Sequence, residues 1–165
     1  MTRDQFKKLF DLNFDTVRNY LYYRSGDAEL AADLAQETFL KLWEKQPGID
    51  HDRVRGLLFK IAGDQFVSHF RRQQVMNRFR LNFRPEVAEV SSEEKVIYEE
   101  MKERYETALA RMPEKQRTVF LMSRLDRFKY HEIADRLGLS VKAVEKRMSL
   151  ALSFLKNEMH LPWPV

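Results

Sequence analysis

Apolar residues recur at every third or fourth position along almost the whole chain, and this spacing, more than any other feature, commits it to helix. The first run carries Phe6, Leu9, Phe10, Leu12, Val17, Tyr20 and Leu21 and predicts a helix over about 2–23. "RSGD" interrupts the pattern, with Gly26 ending one helix and Asp27 set to cap the next. That second helix reaches about Lys45 and stops at "QPGID". A third run, about 54–72, carries Leu57, Leu58, Ile61, Ala62, Phe66, Val67 and Phe70. Three helices joined by short turns form one compact bundle.

The stretch "QQVMNRFRLNFRPEVAEVSSEEK" follows, basic at its start and acidic at its end, with helix persisting to about Phe79. It reads as a linker, because so long a structureless loop is unusual inside a compact domain. Helical spacing resumes over about 92–111 with Val96, Ile97, Met101, Tyr105, Ala108 and Leu109. It restarts at Pro113, a good first-turn residue, and runs through Val119, Phe120, Met122 and Leu125 to two further helices around Gly138. The expected fold is all-α: two small helical domains, residues 1–75 and 95–160, joined by a flexible linker over 76–94. With 165 residues to share, each domain has a thin core and their relationship is expected to be mobile.

Charge is distributed in blocks. The net charge is +4, yet "DAELAADLAQETFLKLW" (27–43) holds Asp27, Glu29, Asp33 and Glu37 against Lys41 alone. From Arg53 to Arg84, Asp64 is the one acid among Arg53, Arg55, Lys60, Arg71, Arg72, Arg78, Arg80 and Arg84; from Glu86 to Glu103 acids dominate. Such blocks point to distinct partners or distinct surfaces, and the basic balance of the whole chain suggests a polyanionic partner. The chain has no Cys, which excludes a disulfide framework or a Cys-based zinc site. His51, His69, His131 and His160 are too scattered for a metal cluster, and neither phosphate-loop glycine motif is present. No catalytic constellation, metal or cofactor is expected. No stretch approaches the roughly 20 apolar residues needed to cross a bilayer, so membrane insertion is not expected.

"YHEIADRLGLSVKAVEKRMSLAL" has the form of a helix-turn-helix. Ile133, Ala134 and Leu137 face inward, and small Ala134 permits close approach of the second helix. Gly138 can take the left-handed conformation that ends a helix, Leu139 plugs the gap and Ser140 caps the second helix. Val144, Met148, Ala151, Leu152 and Leu155 form that helix's inner stripe. The opposite face offers Lys142, Glu145, Lys146 and Ser149, with Arg147 beside it, residue types suited to phosphates and base edges. An ordinary helical hairpin with solvated charges would carry the same face.

Three stretches together resemble the sigma-70 family of RNA polymerase sigma factors, in its extracytoplasmic-function type. "DLAQETFLKLW" (33–43) is similar to the family's region 2.2, "RGLLFKIAGDQFVSHFRR" (55–72) to regions 2.3 and 2.4, and "LARMPEKQRTVFLM" with the helix-turn-helix to region 4. The resemblance covers about residues 5–75 and 95–157. It implies a bacterial, cytoplasmic promoter-specificity factor that binds core RNA polymerase, through the beta-prime coiled coil and the beta flap, and promoter DNA. It also implies an anti-sigma factor as a partner. On helix α-spacing, Asp33, Gln36, Glu37, Leu40 and Glu44 share one face, the expected polymerase contact, while Ala31, Ala35, Phe39 and Leu42 share the buried one. Trp43 lies at the boundary, either core or anchor.

The same resemblance assigns Arg55, Lys60, Asp64, Gln65, His69, Arg71 and Arg72, with Gln73, to the −10 element, and Ser140, Lys142, Glu145, Lys146, Arg147 and Ser149 to the −35 element. Phe59, Phe66 and Phe70 are possible stacking groups, although their spacing favours burial. Relatives often carry Arg-Asn where this chain has Gly63-Asp64. An ionised Asp accepts but cannot donate hydrogen bonds, so −10 preference is expected to differ. The resemblance also gives the acidic 86–94 segment a path near the polymerase active site. The competing reading is a stand-alone helix-turn-helix regulator, which has no need of the 33–43 motif; an adaptor that binds polymerase but not DNA conflicts with the basic helices.

Overall fold

The computed structural model describes residues 1–46, 48, 50–73 and 92–160, and all regular structure among them is helical. Seven helices follow in order: α1 (Arg3–Ser25), α2 (Ala28–Lys45), α3 (His51–Gln73), α4 (Ser92–Arg111), α5 (Glu114–Arg124), α6 (Tyr130–Leu137) and α7 (Val141–Met159). The linker expected over 76–94 lies outside the described residues up to 91, as does any helix reaching Phe79; residues 92–94 open α4.

Local chemistry sets the ends of these helices. At α1, Thr2 and Gln5 form a reciprocal cap: the Thr2 hydroxyl accepts from the Gln5 amide and the Gln5 side chain accepts from the Thr2 amide. The Asp27 carboxylate accepts from the Leu30 amide at 3.0 Å and starts α2. Pro113 precedes α5 as its cap rather than sitting inside the first turn. Gly138 ends α6 at φ 64°, a left-handed conformation that a side chain would strain.

Helices α1–α3 make the first unit around Leu9, Val17, Leu21, Ala31, Ala35, Phe39, Leu42, Leu58 and Ala62, all buried. A fully buried Leu such as Leu42 or Leu58 contributes about 2 kcal/mol of transfer free energy. Rings extend this core toward the α2 C-terminus, where Phe10 packs on Phe14 and edge-on to Phe39. Helices α4–α7 make the second unit around Leu109, Met112, Val119, Phe120, Met122, Ile133, Val144, Met148 and Ala151. Several residues at apolar spacing remain open instead, because they fall on the outward edge of their helices: Leu12, Val67, Leu125 and Leu152, with Val96, Ile97 and Met101 on the first turns of α4.

The two units are docked, not merely tethered. Helix α5 packs on α1 as well as on α7, and α6 packs on α3. The reason lies in α5 itself, where six successive residues, Arg117 to Met122, are buried. Apolar side chains pointing in every direction require cover on every side, and the second unit alone covers only part of α5.

One of those six is an arginine. The Arg117 guanidinium donates to the carbonyls of Tyr23 (2.7 Å) and Arg24 (2.8 Å) in the last turn of α1, and to those of Leu109, Ala110 and Met112 at the end of α4. It thus answers carbonyls that the ends of two helices leave without intrahelical donors, at the negative pole of each dipole. Burial lowers its pKa, and the nearby Glu114 carboxylate opposes that shift. Two further contacts tie the units. Arg24 meets the Glu114 carboxylate with two 2.9 Å hydrogen bonds. Asp126, between α5 and α6, accepts from Tyr23 (2.9 Å) and Asn19 (3.1 Å) on α1; burial holds its carboxyl above the usual range against the pull of those bonds.

Replacing Arg117 by Met keeps the bulk and removes every donor, leaving buried carbonyls unanswered. The expected cost is about 3 kcal/mol and a drop in Tm of roughly 10 °C, read by thermal denaturation followed at the helical circular-dichroism band.

Candidate polymerase and nucleic-acid interfaces

Helix α2 divides cleanly into two faces. Ala31, Ala35, Phe39 and Leu42 are fully or nearly fully buried. Asp33, Gln36, Glu37, Leu40 and Glu44 are all exposed on the other side. Leu40 is 62% exposed, a large apolar surface among carboxylates. Glu37 pairs with Lys41 at 3.4 Å, an exposed i,i+4 contact that solvent screens and a partner can readily exchange. Trp43 packs its ring edge-on to Phe6 at 5.0 Å while 36% of it stays open. The face is therefore acidic, with two apolar anchors held by a rigid helix.

Helix α3 presents a narrower edge. Arg53, Lys60, Asp64, Ser68 and Arg71 are exposed and share one side by helical spacing. His69 and Phe70 are half-buried and fall off that edge, His69 in register with the packed face that carries Leu58 and Ala62. Gln65, expected among the DNA-facing residues, is instead buried; it falls on the face that carries Leu58, Ile61 and Ala62 into the bundle. Phe59 and Phe66 are buried as their spacing suggested, so neither ring is available for stacking. The side chains of Arg72 and Gln73 lie outside the described residues. Arg55 is half-buried, on the side where α6 packs on α3, and its charge helps to lower the pKa of Arg136 in α6, after burial, the larger cause.

The helix-turn-helix forms as its sequence requires. Ile133 and Ala134 are buried, Leu139 is partly buried against the core, and the Leu139 amide donates to the Ala134 carbonyl at 2.9 Å. The Ser140 hydroxyl accepts from the Ala143 amide at 3.1 Å and starts α7. Val144, Met148, Ala151 and Leu155 are buried, and Ser140, Lys142, Glu145, Lys146 and Ser149 are exposed. Arg147 is half-buried and close enough to Tyr20 of α1 for its charge to act on that phenol, whose pKa burial raises. Thus Arg55 and Arg147, assigned to different DNA elements, both sit near the junction of the two units.

The residues of that junction, Arg24, Glu114, Arg117 and Asp126, escaped the reading of the sequence. One local signal existed: Arg117 stands three and four positions before Phe120 and Leu121, in the apolar register of α5.

The structure thus combines a three-helix unit whose α2 has an acidic outward face with a four-helix unit that contains a helix-turn-helix. Residues 9–75 match the family model for sigma-70 region 2 and residues 102–155 that for sigma-70, region 4. The chain belongs to the sigma-70 family, in its extracytoplasmic-function type. It is 30% identical over 149 residues to the ferric citrate uptake sigma factor FecI of Escherichia coli, covering 89% of this chain and 86% of FecI. It is 26% identical over 158 residues to the extracytoplasmic-function sigma factor RpoE of Cereibacter sphaeroides, covering 93% and 86%. The sigma factor RpoE solved in complex with the anti-sigma factor NepR from Bartonella quintana shares the fold, with a TM-score of 0.62 over 96% of this chain and 99% of that one at 18% identity. The protein is accordingly a promoter-specificity factor that directs transcription initiation.

Ser140→Ala should destabilise the second unit by about 1 kcal/mol, seen as a small fall in Tm and faster amide exchange in the first turn of α7. An unchanged exchange rate there would deny the cap its role.

Proposed function

We propose that the acidic face of α2 docks on the beta-prime coiled coil of core RNA polymerase. Asp33, Gln36 and Glu37 meet basic side chains there, and Leu40 and Trp43 supply the buried apolar area. The observation that carries this reading is the exposure of Leu40 and Trp43 within that acidic face, while the opposite face of the same helix builds the core. Apolar anchors ringed by charge are the usual composition of a specific protein interface.

The open edge of α3, with Lys60, Asp64 and Arg71, faces the −10 element, and Arg55 joins it from the seam. The cations hold phosphates, and Asp64 accepts from a base amino group where relatives offer an amide. The exposed face of α7, with Lys142, Glu145, Lys146, Arg147 and Ser149, enters the major groove at the −35 element, where Glu145 can accept from cytosine. The second unit also touches the beta flap. An anti-sigma factor is a further partner, and the protein works in the bacterial cytoplasm. RNA synthesis itself stays with the polymerase.

Core polymerase supplemented with this protein should start transcripts at fixed positions on genomic templates; no defined start on any template would end the proposal. Asp33→Arg should weaken binding to core by roughly tenfold and leave the second unit intact. Lys146→Ala should weaken −35 binding of the holoenzyme by a similar factor without changing its assembly. Equal loss of both activities in either variant would mean that its surface is misassigned.

A further inference from the structure

The junction between the two units is unusually polar at one point, and that point depends on a glycine. Arg24 is extended from the last turn of α1 and lies over the Phe66 ring of α3, its guanidinium carbon 4.1 Å from the ring centroid. It donates to the Tyr20 hydroxyl at 3.0 Å and, with its remaining nitrogens, to both oxygens of Glu114. Burial acts to lower its pKa, but Glu114 and Tyr20 outweigh that and the net shift is upward. Gly63 lies directly beneath. A Cβ at that position would stand 3.2 Å from the Tyr20 hydroxyl and 3.5 Å from the Arg24 guanidinium. The first distance is tighter than ordinary contact, and a longer side chain would have to occupy the space that Arg24 fills.

The geometry points to a latch: Arg24, seated in the room left by Gly63, clasps Glu114 and holds the second unit closed against the first. Its partners are fixed groups. Phe66 and Gly63 belong to α3, Tyr20 and Arg24 to α1, and Glu114 is the first residue of α5. The clasp therefore joins three helices from two units at one charge pair, with side-chain exposures of 12% for Arg24 and 32% for Glu114. A pair of that burial is strong enough to bias a docked state and open enough to water to be broken.

Closure also has a cost for DNA contact. In the docked arrangement Arg55 sits half-buried where α6 packs on α3, its charge working against Arg136, and Arg147 sits half-buried near Tyr20. Undocking uncovers one residue of each DNA face at once. That consequence rests on the DNA assignment given above; the latch itself does not.

The absence of native Cys makes the test direct. Spin labels on introduced cysteines at Glu29 in α2 and Ser153 in α7, both exposed, report the separation of the units by pulsed electron paramagnetic resonance without polymerase or DNA. A single short distance population is expected for the otherwise unaltered chain. Glu114→Gln, close in shape, should raise the separated fraction by roughly threefold to thirtyfold, and about 1 M salt should act in the same direction. Gly63→Arg should separate the units more completely. Unchanged distances in Glu114→Gln with helicity retained would overturn the latch, as would a broad distribution in the unaltered chain that neither change moves. Should Gly63→Arg fail to fold, Gly63→Ala and Glu114→Gln still decide the matter. Failure of the transcription test with a salt-sensitive distance would leave the latch standing and remove only its link to DNA.

Discussion

The arrangement of this protein depends on a short helix that has nowhere to hide. Helix α5 buries Arg117 through Met122 without a break, so it needs neighbours all round. Helix α7 supplies one side and α1 the other. The guanidinium of Arg117 then closes the ends of α1 and α4 together, giving donors to carbonyls that two helix C-termini expose. Moving a charged group from water to such a position is expensive unless its hydrogen bonds are answered. Here they are answered by groups from both units, so the arginine stabilises this one arrangement and penalises most others.

The contacting surfaces follow from the same division of each helix into a committed face and a free one. The faces of α2 and α7 that build the cores leave acids with Leu40 on one outward surface and Lys142, Glu145, Lys146 and Ser149 on another. The acidic face of α2 and the exposed face of α7 lie on different units, while the first unit also carries the basic edge of α3, so charge is segregated by helix face and not by unit. A rigid helix fixes the spacing of each set, and the turn at Gly138 with the Ser140 cap fixes how α7 leaves the body. The cations nearest the junction, Arg55 and Arg147, are the ones whose availability depends on how the units sit.

Much of this was legible because it is local. Helical spacing fixed α1, α2, α4 and the helix-turn-helix to within a few residues, and Asp27, Gly138 and Ser140 terminate helices through their own side chains or backbone freedom. The inward and outward faces of α2 followed from periodicity alone. Periodicity failed where apolar residues fall at the edge of a stripe: Leu12 and Leu152 look like core members and are open, since burial depends on which neighbour arrives. It failed in the other direction at Gln65, a polar side chain that lies on the packed face of α3. Trp43 could not be divided between core and surface by spacing, and the Phe6 ring beside it explains why it serves as both.

By itself, then, the sequence determined the helices, their caps, the charge borne by each outward face and the family to which those motifs belong, because each is settled within a few turns of chain. The docking of the two units was decided only in three dimensions. Arg24 and Glu114 stand ninety residues apart, as do Tyr23 and Asp126 by a little more, and their contacts exist because α5 seeks cover against α1. Gly63 gives the plainest case. In the sequence it is a missing side chain in a DNA-facing motif; in the fold it is the space in which an arginine reaches from one unit to the other.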